Sequence, residues 1–165
     1  MENLFENEVT NKIVNFLLEI GLKVKLAVID DETFLPGIAV DGGALLVDES
    51  KLKYPGDLLH EAGHLAVISS ERRNQTGNVI EANGGDEMMA IAWSYAALVH
   101  LKLDPSVVFH PDGYRGDSES LIENFTQGYY FGVPVLQWIG LTADDKNAKE
   151  MGIEPYPKII KWILD

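Results

Sequence analysis

Cysteine is absent from this 165-residue chain, so disulfides and thiolate metal ligands are excluded. The lack fits a reducing compartment. Basic side chains are few: 13 Lys and Arg face 26 Asp and Glu, a formal charge of −13. Such a surface repels phosphate backbones, which argues against nucleic acid as a partner. It favours basic substrates or serves solubility alone. No long hydrophobic run is present. The longest mostly apolar stretch, Met88 to Leu103, is broken by Ser94, Tyr95, His100 and Lys102, too short and too polar to span a bilayer. The start, Met1-Glu2-Asn3-Leu4-Phe5-Glu6-Asn7-Glu8, lacks the basic opening and apolar core of a signal peptide. The expectation is a cytoplasmic protein with no membrane partner. No internal repeat or low-complexity segment is evident. The length suits one domain over residues 1–165, with a core of normal size.

What is there centres on Leu58-Leu59-His60-Glu61-Ala62-Gly63-His64-Leu65-Ala66-Val67. On a helix, positions i and i+4 lie about 40° apart, one turn above each other. His60 and His64 can therefore aim both imidazoles at one point, as two zinc ligands must. Glu61 lies about 100° round from His60, near enough to reach a metal-bound water but badly placed as a ligand. The pattern reads as two zinc ligands plus the general base of a metalloprotease. Leu58, Leu59, Ala62, Leu65, Ala66, Val67 and Ile68 surround it, so the helix is expected to be buried. Buried imidazoles and a carboxylate need partners or a metal. Gly63 inside a helix costs about 1 kcal/mol relative to alanine, which points to a close neighbour there. The plainer alternative is a metal-free α+β domain whose histidines are hydrogen-bonded in the core.

The flanking chain alternates short strands and helices. Glu8 to Ile20 carries apolar residues at helical spacing and stops at Gly21. Lys23 to Ile29 alternates as a strand. Phe34 to Val40 and Ala44 to Asp48 read as two more, joined at Asp41-Gly42-Gly43 by a hairpin signal, with Pro36 confining the first to an edge or a strand start. Pro55 and Asp57 suit the start of the His-Glu-x-x-His helix, which is expected to run to about Ser70. Glu71 to Gly85 reads as a loop, Asp86 to Leu103 as a helix, and residues 109–116 as turns. Ser118 to Phe131, capped by Asp117 or Ser118, is a further helix. Pro134 to Gly140, Thr142 to Met151 and Pro157 to Leu164 look like three short ones. Tyr129, Tyr130, Phe131, Trp138 and Trp162 are expected to pack the core.

A catalytic zinc takes three protein ligands and leaves a place for water. Glu81, Asp86, Glu87, His100 and His110 are downstream candidates. Glu87 heads a face formed by Ala90, Ile91, Ser94 and Leu98, small and apolar enough to approach another helix closely. His100 lies about 220° round, so both cannot face one metal. The alternative for Glu87 is a carboxylate complementing the helix dipole. Glu81 sits in the expected loop, and His110 beside Pro111 reads as a loop histidine able to reach over a cleft.

With these residues in view, the chain resembles the gluzincin metallopeptidases, which combine His-Glu-x-x-His with a downstream glutamate ligand. Small members, the minigluzincins and the ImmA/IrrE-like anti-repressor peptidases, also place a short strand before the active-site helix. Here residues 37–48 precede Leu59 to Leu65, and Glu87, Ala90, Trp93 and Ser94 resemble the ImmA-like glutamate helix. The likeness covers roughly residues 35 to 100. It implies a small zincin-like α+β domain: a three-stranded sheet on the active-site helix and a second ligand helix, with a helical C-terminal part. It implies that His60, His64 and Glu87 hold Zn2+, that Glu61 is the catalytic base, and that the substrate is a peptide or protein. It also implies that Leu45, Leu46 and Val47, running on to Asp48, lie along the cleft as a strand to which an extended peptide adds. The oxyanion stabiliser in such enzymes is usually a downstream tyrosine or histidine; Tyr95, His110 and Tyr114 are the candidates. One departure is Ile91, which stands where many gluzincins carry a residue orienting a histidine. No helix-turn-helix segment accompanies the motif. The rival to hydrolysis is a catalytically inactive or structural metal-binding domain that binds a peptide or protein partner.

Overall fold

The computed structural model describes residues 3–77 and 83–165. Among them the architecture is α+β, with seven α-helices and one small mixed sheet. Helix α1 (Glu8–Glu19) starts at Asn7, whose side chain accepts from the Thr10 amide at 3.0 Å. Its Ile13, Val14, Phe16 and Leu17 are buried, the face that the apolar spacing marks. Strands β1 (Lys23–Leu26), β2 (Ile38–Asp41) and β3 (Ala44–Val47) follow. The β2–β3 hairpin turns on Gly42 and Gly43, at φ 55° and 78°. Both values are positive, as a two-residue turn matching strand twist requires.

The sheet order is β1-β3-β2, with β1 parallel and β2 antiparallel to β3. This overturns one expectation. Leu45, Leu46 and Val47 form the central strand, with Leu45 paired to Val24 on one side and Val40 on the other. Their backbone bonds are spent on neighbours, so no peptide can add there. The outer strands are also shorter than the pattern suggests. Val28 is 83% exposed and Phe34 97% exposed, so apolar character there does not mark a buried strand.

Helix α2 (Asp57–Ala66) lies against β3 and along α4 (Gly84–His100). The crossing is tight at Gly63, where a Cβ would stand 3.0 Å from the Ala90 carbonyl oxygen and 3.2 Å from its Cα. This is the close neighbour that the glycine signals. Helix α2 ends at Ala66, short of Ser70, and a new helix α3 (Ser70–Asn74) occupies part of the expected loop. Ser69 caps α3, accepting from the Arg72 amide at 3.3 Å. The Arg73 guanidinium donates to the carbonyls of Leu65, Ile68 and Leu164, at 2.8, 2.9 and 2.6 Å. These tertiary bonds outweigh the weak local signal.

Helices α5 (Ser118–Thr126), α6 (Val133–Trp138) and α7 (Asp145–Met151) complete the shell, and α6 packs on α4. Residues 157–164 form no helix. Their backbone serves distant partners instead: Ile160 N–H donates to Leu141, Leu164 N–H donates to Ala66, and Trp162 C=O accepts from Trp93 Nε1, at 2.8, 2.8 and 2.9 Å. Tyr130, Phe131 and Trp162 pack on the core as expected, but Trp138 is 88% exposed and Tyr129 is exposed too.

Candidate metal centre

The site is built where α2 crosses the first turn of α4. His60 and His64 stand one turn apart on α2, ring centroids 4.9 Å apart and planes at 89°. Their Nε2 atoms converge on one carboxylate: His60 Nε2 lies 2.9 Å from Glu87 Oε1, and His64 Nε2 lies 3.1 Å from Glu87 Oε2. The start of α4 explains why Glu87 is available. Asn83 accepts from the Asp86 amide at 2.9 Å, and Asp86 accepts from the Asn83 amide at 3.1 Å. Asp86 is thus consumed by a capping box, and the next residue faces α2. Hydrogen bonds from His60, then His64, hold the Glu87 carboxyl far below the usual carboxylate range, burial opposing them.

Glu61 shares the site without touching Glu87. One ligand-capable atom from each of His60, Glu61 and His64 falls within 4.8 Å of the others. Two groupings therefore compete for the third ligand. Contact with both Nε2 atoms favours Glu87, and the helical offset of Glu61 leaves it for proton chemistry. Burial pushes the Glu61 carboxyl up, with His60 and His64 pulling against it.

The donor set fits a divalent metal. Two imidazole nitrogens and one carboxylate form the three-ligand N/O set of a catalytic zinc site. The N···O separations of 2.9 and 3.1 Å approach the about 3.3–3.4 Å edges of a tetrahedron with about 2.0–2.1 Å arms. His64 is buried and His60 nearly so, which leaves little alternative solvation for either ring.

The remaining candidates separate. Tyr114 Oη is 3.4 Å from His60 Nδ1, on the side of the ring away from Glu87. Burial, then the charges of Asp57, Glu87 and Glu61, push its phenol far above the usual range, so it stays protonated. His110 Nε2 bonds Asp57 Oδ1 at 2.6 Å, and its ring stacks on Tyr54 with centroids 3.7 Å apart. Its Nδ1 is sealed from solvent and has no partner among the described residues. Tyr95 is buried among Phe109, Phe125 and Tyr130. His100 packs on Phe16 and Trp162, away from the Glu87 face. Glu81 lies outside the described residues.

Asp57 is the participant that the sequence pattern marks only as a helix-start residue. It is buried, bonded to His110, and pushed up by that burial with the His110 bond opposing it. A signal for it exists: three residues before His60, it falls on the same helix face. Tyr54, stacked under His110, carries no comparable sign in the sequence.

Comparison with family models, curated proteins and solved structures finds no match to this chain.

Proposed function

We propose that this chain is a zinc-dependent peptidase. The observation that carries the reading is the convergence of His60 and His64 Nε2 on the Glu87 carboxylate, at 2.9 and 3.1 Å, with Glu61 beside them. His60, His64 and Glu87 would hold the ion, and zinc bound there would supply Lewis acidity to a substrate carbonyl and to a water. Glu61 takes the proton from the attacking water and delivers it to the leaving amine. Its burial supports the delivery step, because a carboxyl pushed up by desolvation holds a proton more readily. Leu59 and Ala62, beside the two histidines on α2, are fully buried, so water is kept from that side of the helix.

Protein purified without a His-tag is expected to contain about one zinc per chain. A peptide library incubated with it should yield cleavage products that vanish on chelation. Metal-free protein that neither takes up zinc nor cleaves any peptide refutes the proposal.

A second reading has its own support. Neither Tyr95, in the aromatic core, nor His110, sealed against Tyr54, can face a substrate carbonyl, and Tyr114 stands behind His60. The chain is then a metal-binding domain that recognises a peptide or protein partner without cutting it. Zinc retention with no cleavage across the library is its signature.

A further inference from the structure

Tyr114 is held by an unusual piece of backbone. Tyr114 and Arg115 are consecutive non-glycine residues in the left-handed region, at φ 57° and 54°. That conformation is unfavourable for side chains of this size. The preceding residue, Gly113, lies close against the His110 ring, where a Cβ would stand 3.1 Å from Cε1. His110 in turn is fixed by Asp57 at 2.6 Å and by its stack on Tyr54. The loop is thus anchored to the first residue of α2, one turn before His60. It sets Tyr114 Oη 3.4 Å from His60 Nδ1, with the phenol ring edge-on at 89° to the imidazole.

A histidine that binds a cation through Nε2 must carry its proton on Nδ1, and that N–H needs an acceptor. The place four residues after Glu87 holds Ile91, whose side chain has no acceptor. We infer that Tyr114 is the positioning residue of the centre: once a cation replaces the Glu87 hydrogen bond at Nε2, the Tyr114 hydroxyl oxygen accepts a hydrogen bond from His60 Nδ1–H and so fixes the tautomer that leaves Nε2 free to ligate. The inference rests on the reading of His60, His64 and Glu87 as a metal site. Tyr114 acts through His60 and touches neither the ion nor the substrate.

The test is zinc titration of metal-stripped wild type and Tyr114→Phe, each against a chromophoric chelator, with thermal melting of both metal-free proteins alongside. Removing the hydroxyl is expected to weaken zinc binding about 10- to 100-fold while the metal-free melting temperature stays close to wild type. In 15N–1H spectra of zinc-loaded protein, the His60 Nδ1–H resonance should be protected from exchange in the wild type and broadened in the variant. Equal zinc affinity in the two proteins overturns the inference. So does a lower metal-free melting temperature with affinity unchanged, the mark of a purely structural tyrosine. A wild type that takes up no zinc removes the metal site itself, which separates that failure from this one.

Discussion

Glu61 and Glu87 carry the same chemistry and are pushed in opposite directions. Two imidazoles grip Glu87 and hold its proton off, whereas Glu61 is dominated by desolvation. This divergence matches the roles proposed for them, Glu87 as ligand and Glu61 as proton carrier. It gives a sharp expectation for Glu61→Gln, which keeps the size and loses the basicity. Zinc content should stay near one per chain, while peptide hydrolysis falls by about 10²- to 10⁴-fold, the usual worth of a general base. Atomic absorption and a fluorogenic peptide assay read the two quantities. Full activity in Glu61→Gln excludes Glu61 as the base. The pair of histidines was legible because i, i+4 spacing is a fixed property of helices. The network behind them was not, since Asp57, His110 and Tyr114 meet only through a loop whose left-handed turn at Tyr114 and Arg115 has no glycine to announce it.

Elements bring the proposed ligands together, and the α2–α4 crossing is decisive. Gly63→Ala replaces a hydrogen with a methyl 3.0 Å from the Ala90 carbonyl oxygen and 3.3 Å from the Trp93 ring. Overpacking of this kind costs about 1–3 kcal/mol, and the alanine returns about 1 kcal/mol of helix propensity. The net expectation is a loss of roughly 0–2 kcal/mol in a urea titration. Zinc affinity should also fall, because moving α4 outward takes Glu87 from both imidazoles. An alanine variant with wild-type stability and wild-type affinity would show that α4 can give way without disturbing the ligands. The end of β3 carries a second element-scale device. Asp48 accepts from the Ile29 amide at 3.0 Å and from Ser50 Oγ at 2.6 Å, tying β3 to the chain that follows β1. The Ile29 amide, then Ser50, hold its carboxyl below the ordinary value. A lowered folded-state pKa stabilises the fold above the unfolded pKa of about 3.9, and the benefit disappears as pH falls through the folded value. Melting temperatures of Asp48→Asn and wild type should therefore differ most at neutral pH and converge below about pH 4. A gap that is constant with pH assigns the effect to packing. Helix α1 and the β2–β3 hairpin were readable because their apolar spacing and paired glycines act within a few residues. The region after Pro157 was not. Its apolar spacing resembles a helix, yet its amide and carbonyl groups are claimed by Leu141, Ala66 and Trp93 from elsewhere in the chain. Local pattern also misplaced Trp138, whose side chain faces solvent although its neighbour Leu136 is buried. The central place of β3 was equally hidden, since the parallel pairing of β1 with β3 skips over β2.

At the scale of the molecule, the chain carries an excess of 13 negative charges, and the proposed metal site itself contains carboxylates. Among the described residues, no helix is long and apolar enough to cross a membrane. The main apolar assembly is instead the core that α1, the sheet, α2 and α4 share. A cation at the α2–α4 crossing adds to that packing by mass action, because the unfolded chain scatters His60, His64 and Glu87 and loses the site. With free zinc at 100 times its dissociation constant, the folded state gains about 2.7 kcal/mol. For a chain of this length that corresponds to a rise of about 5–11 °C in melting temperature. Calorimetry with and without a chelator should show a shift of that size, reversed on adding zinc back. Glu87→Ala should melt at one temperature in both conditions, since it lacks the ligand that joins α4 to α2. A chelator that leaves the wild type unmoved would mean that the crossing is held by Gly63, Ala90 and Trp93 alone, with no cation contributing to the fold.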